Sequence, residues 1–131
     1  MDDIAPSHGS PPIAVGASPV HGRGVLATRA IDVGEVLDRA PLLIVPADER
    51  DAFDRTTLAE HCFEWADDAV ALPAGPTAFL NHRDTPNARA ELDLDAEVVV
   101  IVAVAPIAAG DEVTIDYRDG EADGDLWFEV A

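Results

Sequence analysis

The sequence contains no lysine, so its positive charge comes from eight arginines alone. Against them stand 26 acidic residues, which gives a formal net charge of −18 at pH 7. Protein affinity for nucleic acids depends on Lys and Arg contacts to phosphate, so this balance argues against direct nucleic-acid binding. An acidic surface attracts basic partners and speeds their encounter. Adaptation to a salty cytoplasm would give the same composition, and the two explanations are compatible.

Cysteine and long apolar runs are also scarce. The single cysteine, Cys62, cannot form an internal disulfide, which favours a reducing compartment. Residues 1–12 carry two acids and no apolar run, so they resemble neither a signal peptide nor a membrane anchor. The longest apolar stretch, residues 98–109, is interrupted by Pro106 and is too short to cross a bilayer. We therefore expect a cytoplasmic protein that does not bind membranes.

No metal site is expected from the sequence. One cysteine cannot supply the thiolates of a structural zinc site. His61 and Cys62 are neighbours that would point to opposite faces of a strand, which prevents them from sharing a metal ion. The pair Asp67-Asp68 lacks the glycine and the terminal glutamate of a calcium loop. Cys62 itself is best interpreted as a small buried hydrophobic residue.

The remaining pattern is that of one small, mostly β domain. With 131 residues the chain has room for a single domain, and its 48% apolar content suffices for a core. Residues 1–12 contain Pro, Gly and Ser without periodicity and are predicted to be a flexible leader. Helix is expected only as one short segment after residue 47 and one turn at 77–80. Short apolar or alternating runs predict strands at 13–15, 25–28, 36–45, 61–65, 70–72, 90–94, 98–104 and 113–117.

Two of these strands carry specific expectations. Pro41 lacks a ladder donor, so the strand 36–45 should be bent or should lie at the edge of a sheet. Residues 98–104 are almost all β-branched, so this strand should be buried on both faces.

Three local motifs go beyond composition. The first spans residues 21–27 (HGRGVLA) and is followed by Ile31, Gly34 and Glu35. Its Gly-x-Gly allows close backbone approach to a ligand but serves any tight turn equally well. The second spans residues 79–87 (FLNHRDTPN), where Asn and Pro are ordinary turn formers but the Asn-His pair is far more specific. The third spans residues 110–117 (GDEVTIDY) and ends in Tyr117, the only tyrosine of the chain. A tyrosine in that place is otherwise a packing residue.

In this order the three motifs resemble the SET domain of protein-lysine methyltransferases over residues 13–117. The resemblance implies a compact SET-type β fold of short strands, in which the second motif meets the final strand in a threaded pseudo-knot. It divides the chain into a flexible leader (1–12), a SET-like domain (13–118) and an acidic tail (119–131) able to close over a cofactor.

The resemblance also implies S-adenosylmethionine as the cofactor. The first motif would cradle its methionine part, while the Asn81 side chain and the His82 backbone would hold its ammonium and adenine ends. Tyr117 would orient the lysine amine. Trp127 or Phe128 would pack on the adenine, although docking of the tail on the core explains these aromatic residues equally well. The implied site comprises Tyr117 as the catalytic residue and the cofactor-binding residues Gly22, Arg23, Gly24, Asn81, His82 and Trp127.

Two departures from the family pattern are visible. Arg83 and Asp84 follow the Asn-His pair where relatives commonly carry Ser and Cys, and we expect these positions to be structural. Relatives usually line the lysine channel with more than one tyrosine. Because Tyr117 is the only one here, the channel must use Phe, His or Trp instead.

The function implied is methylation of a lysine on another, basic protein, since this chain has no lysine of its own. Free lysine has a pKa of about 10.4, and an apolar channel beside a sulfonium would lower it to give the neutral nucleophile. Two alternatives remain. A SET-like module without catalysis would bind a basic partner, and the single tyrosine favours it. An acidic domain that mimics DNA would explain the net charge, but gives no reason for the three ordered motifs.

Overall fold

The computed structural model of the protein describes residues 11–19 and 22–117. The described chain is built mainly from short strands, which confirms the predicted mostly β class with little helix. The one α-helix there, α1, spans Arg50–Asp54, and 3-10 turns span Ala47–Glu49, Thr57–His61, Ala66–Asp68 and Pro76–Phe79. The strands are β1 Ile13–Ala17, β2 Arg23–Ala27, β3 Val36–Val45, β4 Phe63–Glu64, β5 Val70–Pro73, β6 Asn81–His82, β7 Ala88–Asp93, β8 Val98–Ala103 and β9 Glu112–Ile115.

The strands form two sheets. The smaller has the order β1-β2-β9-β6 and the larger has the order β4-β5-β3-β8-β7. Neighbouring strands run antiparallel in both, except that β6 pairs with β9 in parallel. Parallel neighbours cannot be joined by a tight hairpin, so a long connection must bring β6 and β9 together. That connection consists of β7, β8 and the loops around them.

Strand β3 lies at the centre of the larger sheet, so the prediction of an edge strand is wrong. Residues 36–41 pair with β8, whereas residues 42–45 pair with β5. Pro41 stands at this changeover, opposite Val98 at the end of the first ladder and one residue before the second begins. A residue without an N–H is tolerated there because the partner of β3 changes from β8 to β5 at that point.

Strand β8 is buried on one face only, which corrects the second strand expectation. Val99, Ile101 and Ala103 are buried, while the residues between them keep part of their surface exposed. The run of β-branched residues reflects the position of β8 between β3 and β7, where such side chains pack well against neighbouring strands. An antiparallel sheet covers one face with the core and leaves the other solvated.

The pairing of β6 with β9 brings the second and third motifs together, as the order of the motifs predicted. Asn81 lies opposite Thr114 and His82 lies opposite Ile115. The final strand was expected to reach Tyr117, but β9 ends at Ile115 and Tyr117 lies in a turn. The reason is local, since the N–H of Tyr117 donates to Nδ1 of the His82 ring at 3.0 Å and not to a neighbouring strand.

Asn87, the last residue of the second motif, holds the same junction. Its Nδ2 donates to the carbonyl oxygen of Glu112 at 2.8 Å, and its Oδ1 accepts from the N–H of Thr114 at 2.9 Å. One side chain therefore satisfies two backbone groups of β9 and fixes the position of that strand.

The core is mainly aliphatic, since only 5% of the residues of the chain are aromatic. Its larger side chains come from both sheets, and Phe63 and Trp65 are the aromatic residues that join the described core cluster. In residues 11–19 and 22–117 no helix is long and apolar enough to cross a membrane. The largest fully buried side chains of the described residues are Val25, Ile31, Leu37, Val70, Val99, Ile101, Val113 and Ile115.

Candidate active site

A cavity of about 480 Å³ lies where β2, β6 and β9 meet the turns Thr57–His61 and Pro76–Phe79. Sites for small ligands commonly have volumes of about 300–1,000 Å³, so this cavity is large enough for a cofactor. Most of the predicted site residues are on its wall, whereas Trp127 lies outside the described residues and its role stays a prediction. The predicted residues that line the cavity are Gly22, Arg23, Asn81, His82 and Tyr117.

Asn81 is oriented by two acceptors. Its Nδ2 donates to the carbonyl oxygen of Arg23 at 3.0 Å and to Oε2 of Glu112 at 2.8 Å. Both neighbours only accept hydrogen bonds, so the amide nitrogen must face them. This orientation turns the amide oxygen of Asn81 away from both of these acceptors.

Glu112 connects the parts of this cavity wall. Its Oε1 accepts from the hydroxyl of Ser18 at 3.0 Å, and its Oε2 accepts from Asn81. Glu112 thereby ties the end of β1 to β6, and its carboxylate lines the cavity. Sequence reasoning assigned no site role to it, because a glutamate that begins an alternating strand is ordinarily on the solvent face. The signal that could have identified it is its position two residues before Thr114 on the motif strand.

The two glycines of the first motif do different things. Gly22 has φ of +52°, a left-handed conformation, and open space where a side chain would stand, so its backbone angle is what favours glycine. Gly24 is buried, and a Cβ there would lie 2.3 Å from Oε2 of Glu112 and 2.9 Å from Nδ2 of Asn81. The missing side chain of Gly24 thus makes room for the pair that forms the cavity wall.

Arg23 lies over an aromatic ring of the second motif. Its guanidinium carbon is 4.9 Å from the centroid of Phe79, within the range of a cation–π contact. Both residues line the cavity. This contact holds the first motif against the turn Pro76–Phe79 and adds a positive charge to a wall that also carries Glu112.

His82 and Tyr117 form the other end of the cavity. Their ring centroids are 5.1 Å apart, and the planes are tilted by 50°. Because Nδ1 of His82 accepts from the N–H of Tyr117, the proton of the neutral ring is on Nε2, which donates to Oδ1 of Asp84 at 2.9 Å. Asp84 therefore orients the ring, in agreement with the structural role expected for this position.

The hydroxyl of Tyr117 is already committed as a donor. It donates to the carbonyl oxygen of Leu80 at 2.9 Å, which leaves the phenol oxygen able to accept. Burial, and next the negative charge of Glu112, raise the pKa of Tyr117 above its usual value. The phenol therefore stays neutral at physiological pH and is suited to accepting a hydrogen bond rather than to removing protons.

A second cavity of about 240 Å³ adjoins the first one. Its wall includes Phe63, Ile115 and Cys62, so much of it is apolar. Phe63 and His61 line it together with Tyr117, the only tyrosine of the chain. The residues common to both cavities are Glu60, His61, Ala78, Leu80 and Tyr117.

Thr114 provides a test of whether the first cavity suits a polar ligand. Its side chain is 2% exposed, and its hydroxyl has no hydrogen-bond partner among residues 11–19 and 22–117. A buried hydroxyl without a partner costs about 1–3 kcal/mol, so such groups are normally satisfied by water or by a ligand. Thr114 lines the cavity and lies opposite Asn81 in the ladder between β6 and β9. These donors and acceptors fit S-adenosylmethionine, whose amino-acid and ribose parts both form hydrogen bonds.

His61 and Cys62 do not lie on one strand, so the argument that they point to opposite faces of a strand is wrong. His61 ends a 3-10 turn and Cys62 precedes β4. Burial raises the pKa of the Cys62 thiol to about 11, and the thiol donates to the carbonyl oxygen of Ala59 at 3.2 Å. In the described part of the chain, no three His, Cys, Asp or Glu residues are grouped to hold a metal ion.

The comparison with protein families decides the identity of the domain. The family model described as SET domain matches residues 22–118, which include the second and third motifs in full and the first motif from Gly22 onward. The chain belongs to the SET domain family. The resemblance drawn from the motifs is thereby confirmed.

Curated and solved relatives agree with this assignment. The histone-lysine N-methyltransferase trithorax of Drosophila virilis is 30% identical over 115 residues, which cover 81% of this chain but 3% of that protein. A candidate histone methyltransferase of Plasmodium falciparum is 26% identical with a TM-score of 0.68, over 82% of this chain and 94% of that one. This SET domain therefore spans a small fraction of its curated relative and nearly the whole of the solved one.

More distant solved structures share the fold. The Neurospora SET domain protein DIM-5, a histone lysine methyltransferase, has a TM-score of 0.66 at 22% identity, over 82% of this chain and 52% of that one. The complex ctPRC2 in an autoinhibited conformation bound to S-adenosylmethionine has a TM-score of 0.71 at 20% identity, over 90% of this chain and 16% of that one. At these identities the likeness establishes the SET fold alone.

Proposed function

We propose that this SET domain transfers a methyl group from S-adenosylmethionine to a lysine side chain of another, basic protein. The observation that carries the proposal is the position of Tyr117. It lines a polar cavity and an apolar cavity at once, and its hydroxyl is fixed by the carbonyl oxygen of Leu80. A donor in one cavity and an acceptor in the other would meet beside this oxygen.

The first cavity would hold the cofactor. Bound there, S-adenosylmethionine would supply an electrophilic methyl group on a positively charged sulfur. The amide oxygen of Asn81 and the carboxylate of Glu112 are acceptors suited to its ammonium group. The hydroxyl of Thr114 would gain the partner that it lacks among the described residues. Gly24 contributes indirectly, since it leaves the space in which Asn81 and Glu112 meet.

The second cavity would admit the lysine side chain. Its apolar wall disfavours the ammonium form and accommodates the aliphatic stem. The phenol oxygen of Tyr117 can accept a hydrogen bond from the amine and so fix its direction of approach. Alignment of this kind is the main contribution that a protein makes to a displacement reaction, since the reacting atoms must be held about 3–3.5 Å apart.

The charge of the molecule favours a basic substrate in the cytoplasm. The net charge is −18, and Glu60 and Glu64 stand on the wall of the second cavity. Electrostatic attraction of this kind raises the rate of encounter with a basic protein. Because the chain has no lysine, the methylated residue must belong to a different protein.

Two measurements test the proposal. Calorimetry with S-adenosylmethionine should show one site per chain. Incubation with radiolabelled donor and a lysate of the source cell should then label at least one basic protein on lysine. A catalytically inactive module would bind a basic partner, and a protein that binds the donor but labels nothing in the lysate would belong to that class. A protein that binds no donor at all would refute the cofactor site as well.

A further inference from the structure

We propose that His61 is the general base that removes the proton from the substrate lysine; this inference rests on the function proposed above. His61 ends the turn Thr57–His61 and is one of the residues that line both cavities. It therefore stands beside the junction where Tyr117 would hold the amine. Neutral imidazole is the side chain best suited to take up a proton near neutral pH.

The ring of His61 is fixed in the tautomer that this role requires. Nδ1 lies 2.7 Å from the carbonyl oxygen of Ala78, and a carbonyl can only accept, so Nδ1 carries the ring proton. The lone pair of the neutral ring is then on Nε2. Within residues 11–19 and 22–117, His61 makes no second hydrogen bond that would occupy this nitrogen.

Packing holds the ring in place. Its centroid is 5.4 Å from that of Phe79, with the planes tilted by 58°. Phe79 is itself covered by the guanidinium of Arg23 at 4.9 Å. The ring is thus anchored at one edge by Ala78 and at one face by Phe79, and it remains half-buried, so water can reach it to carry a proton away.

Titratable groups line both cavities around His61. On the side of the second cavity the titratable groups are Glu60, Cys62, Glu64 and Tyr117. On the side of the first cavity they are Arg23, His82, Arg83 and Glu112. One oxygen of Glu64 is paired with Arg50, whereas its other oxygen, Oε1, is buried without a partner among the described residues.

The reaction requires two steps, a proton transfer from the lysine ammonium and a displacement at the methyl carbon. The lysine ammonium gives one proton to Nε2 of His61, which leaves a neutral amine and an imidazolium. The amine lone pair then forms a bond to the methyl carbon while the carbon–sulfur bond breaks, and its electron pair stays on sulfur as a neutral thioether. The imidazolium returns its proton to water. Tyr117 cannot perform the first step, because its hydroxyl is a committed donor to Leu80 and burial raises its pKa.

The decisive variant is His61→Asn. The amide nitrogen of asparagine can replace Nδ1 and keep the hydrogen bond to Ala78, but no group remains at the position of Nε2. With core histones and polylysine as probe substrates, we expect the transfer rate at pH 7 to fall by about 10²-fold or more, as for loss of a general base. The deficit should shrink as the pH approaches the pKa of free lysine, about 10.4. Donor affinity should stay within twofold of that of the wild type.

Two further readouts separate this inference from the proposed function. In the wild type, the ¹⁵N chemical shifts of His61 should show a proton on Nδ1 and none on Nε2 at pH 8, without any turnover. A His61→Asn protein with the rate and the pH profile of the wild type would overturn the role of His61 while leaving the methyltransferase intact. A wild type that binds the donor but methylates neither probe nor any protein of its own lysate would overturn the proposed function, and this inference with it.

Discussion

The substitution Gly24→Ala tests how the wall of the proposed cofactor cavity is built. A Cβ at this position would stand 2.3 Å from Oε2 of Glu112 and 2.9 Å from Nδ2 of Asn81, well inside contact distance. Glu112 must then move by roughly 1 Å, which breaks its 2.8 Å hydrogen bond to Asn81. A hydrogen bond to a charged group contributes about 1.5–3 kcal/mol, so S-adenosylmethionine affinity should fall about ten- to hundredfold.

The matched control for this experiment is Gly16→Ala. Gly16 lies directly opposite Gly24 in the β1–β2 ladder, but its added Cβ would meet only the side chain of Leu26, at 2.9 Å. A flexible leucine can move away, so donor affinity should stay within about twofold of wild type. Calorimetric titration of both variants gives the comparison, and circular dichroism establishes that each is folded. A folded Gly24→Ala protein with wild-type affinity would refute the idea that Asn81 and Glu112 form the cofactor wall.

Three further predictions follow from single contacts. Asn81→Ala should lower donor affinity about ten- to hundredfold with a smaller loss of stability, as calorimetry and thermal unfolding can show; unchanged affinity would remove Asn81 from the site. Asn87→Ala leaves the Glu112 carbonyl and the Thr114 N–H without their hydrogen-bond partner. The free energy of unfolding should therefore fall by about 2–4 kcal/mol in denaturant titrations. A loss below about 1 kcal/mol would contradict the role of Asn87. With a pKa of about 11, roughly one Cys62 thiol in 10³ is ionised at pH 8. Alkylation by iodoacetamide should therefore be far slower than for free cysteine and should accelerate up to about pH 11. Rapid labelling at pH 8 would contradict the burial of the thiol.

The family and the position of its motifs could be predicted because each motif is a short contiguous segment of the sequence. The Asn-His pair, the glycines and Tyr117 are recognisable in order, and Gly22, the Asn-His pair and Tyr117 line one cavity. The parallel pairing of β6 with β9 was expected only through the resemblance. Nothing in the local pattern of either segment specifies a partner that far away along the chain.

The rest of the site depends on contacts between distant residues. Glu112 looks like an ordinary surface glutamate until β6 is placed beside it, and Asn87 looks like a turn former until its amide is seen to bind the backbone of β9. The tautomer of His61 likewise depends on a distant residue, because the carbonyl oxygen of Ala78 in another turn fixes it. Pro41 misled the prediction because a proline within a strand ordinarily marks an edge, and the change of partner that accommodates it is a property of the whole sheet.

The transfer rate of the Tyr117→Phe variant tests the central claim most directly. The change keeps the ring beside His82 and removes the oxygen that would orient the amine. With a basic probe protein under single-turnover conditions, we expect donor affinity close to wild type and a rate lower by about 10²–10³, as for loss of one positioning hydrogen bond. The readout is unambiguous because this chain has no lysine of its own to be labelled. A Tyr117→Phe protein that transfers methyl groups as fast as wild type would contradict the account.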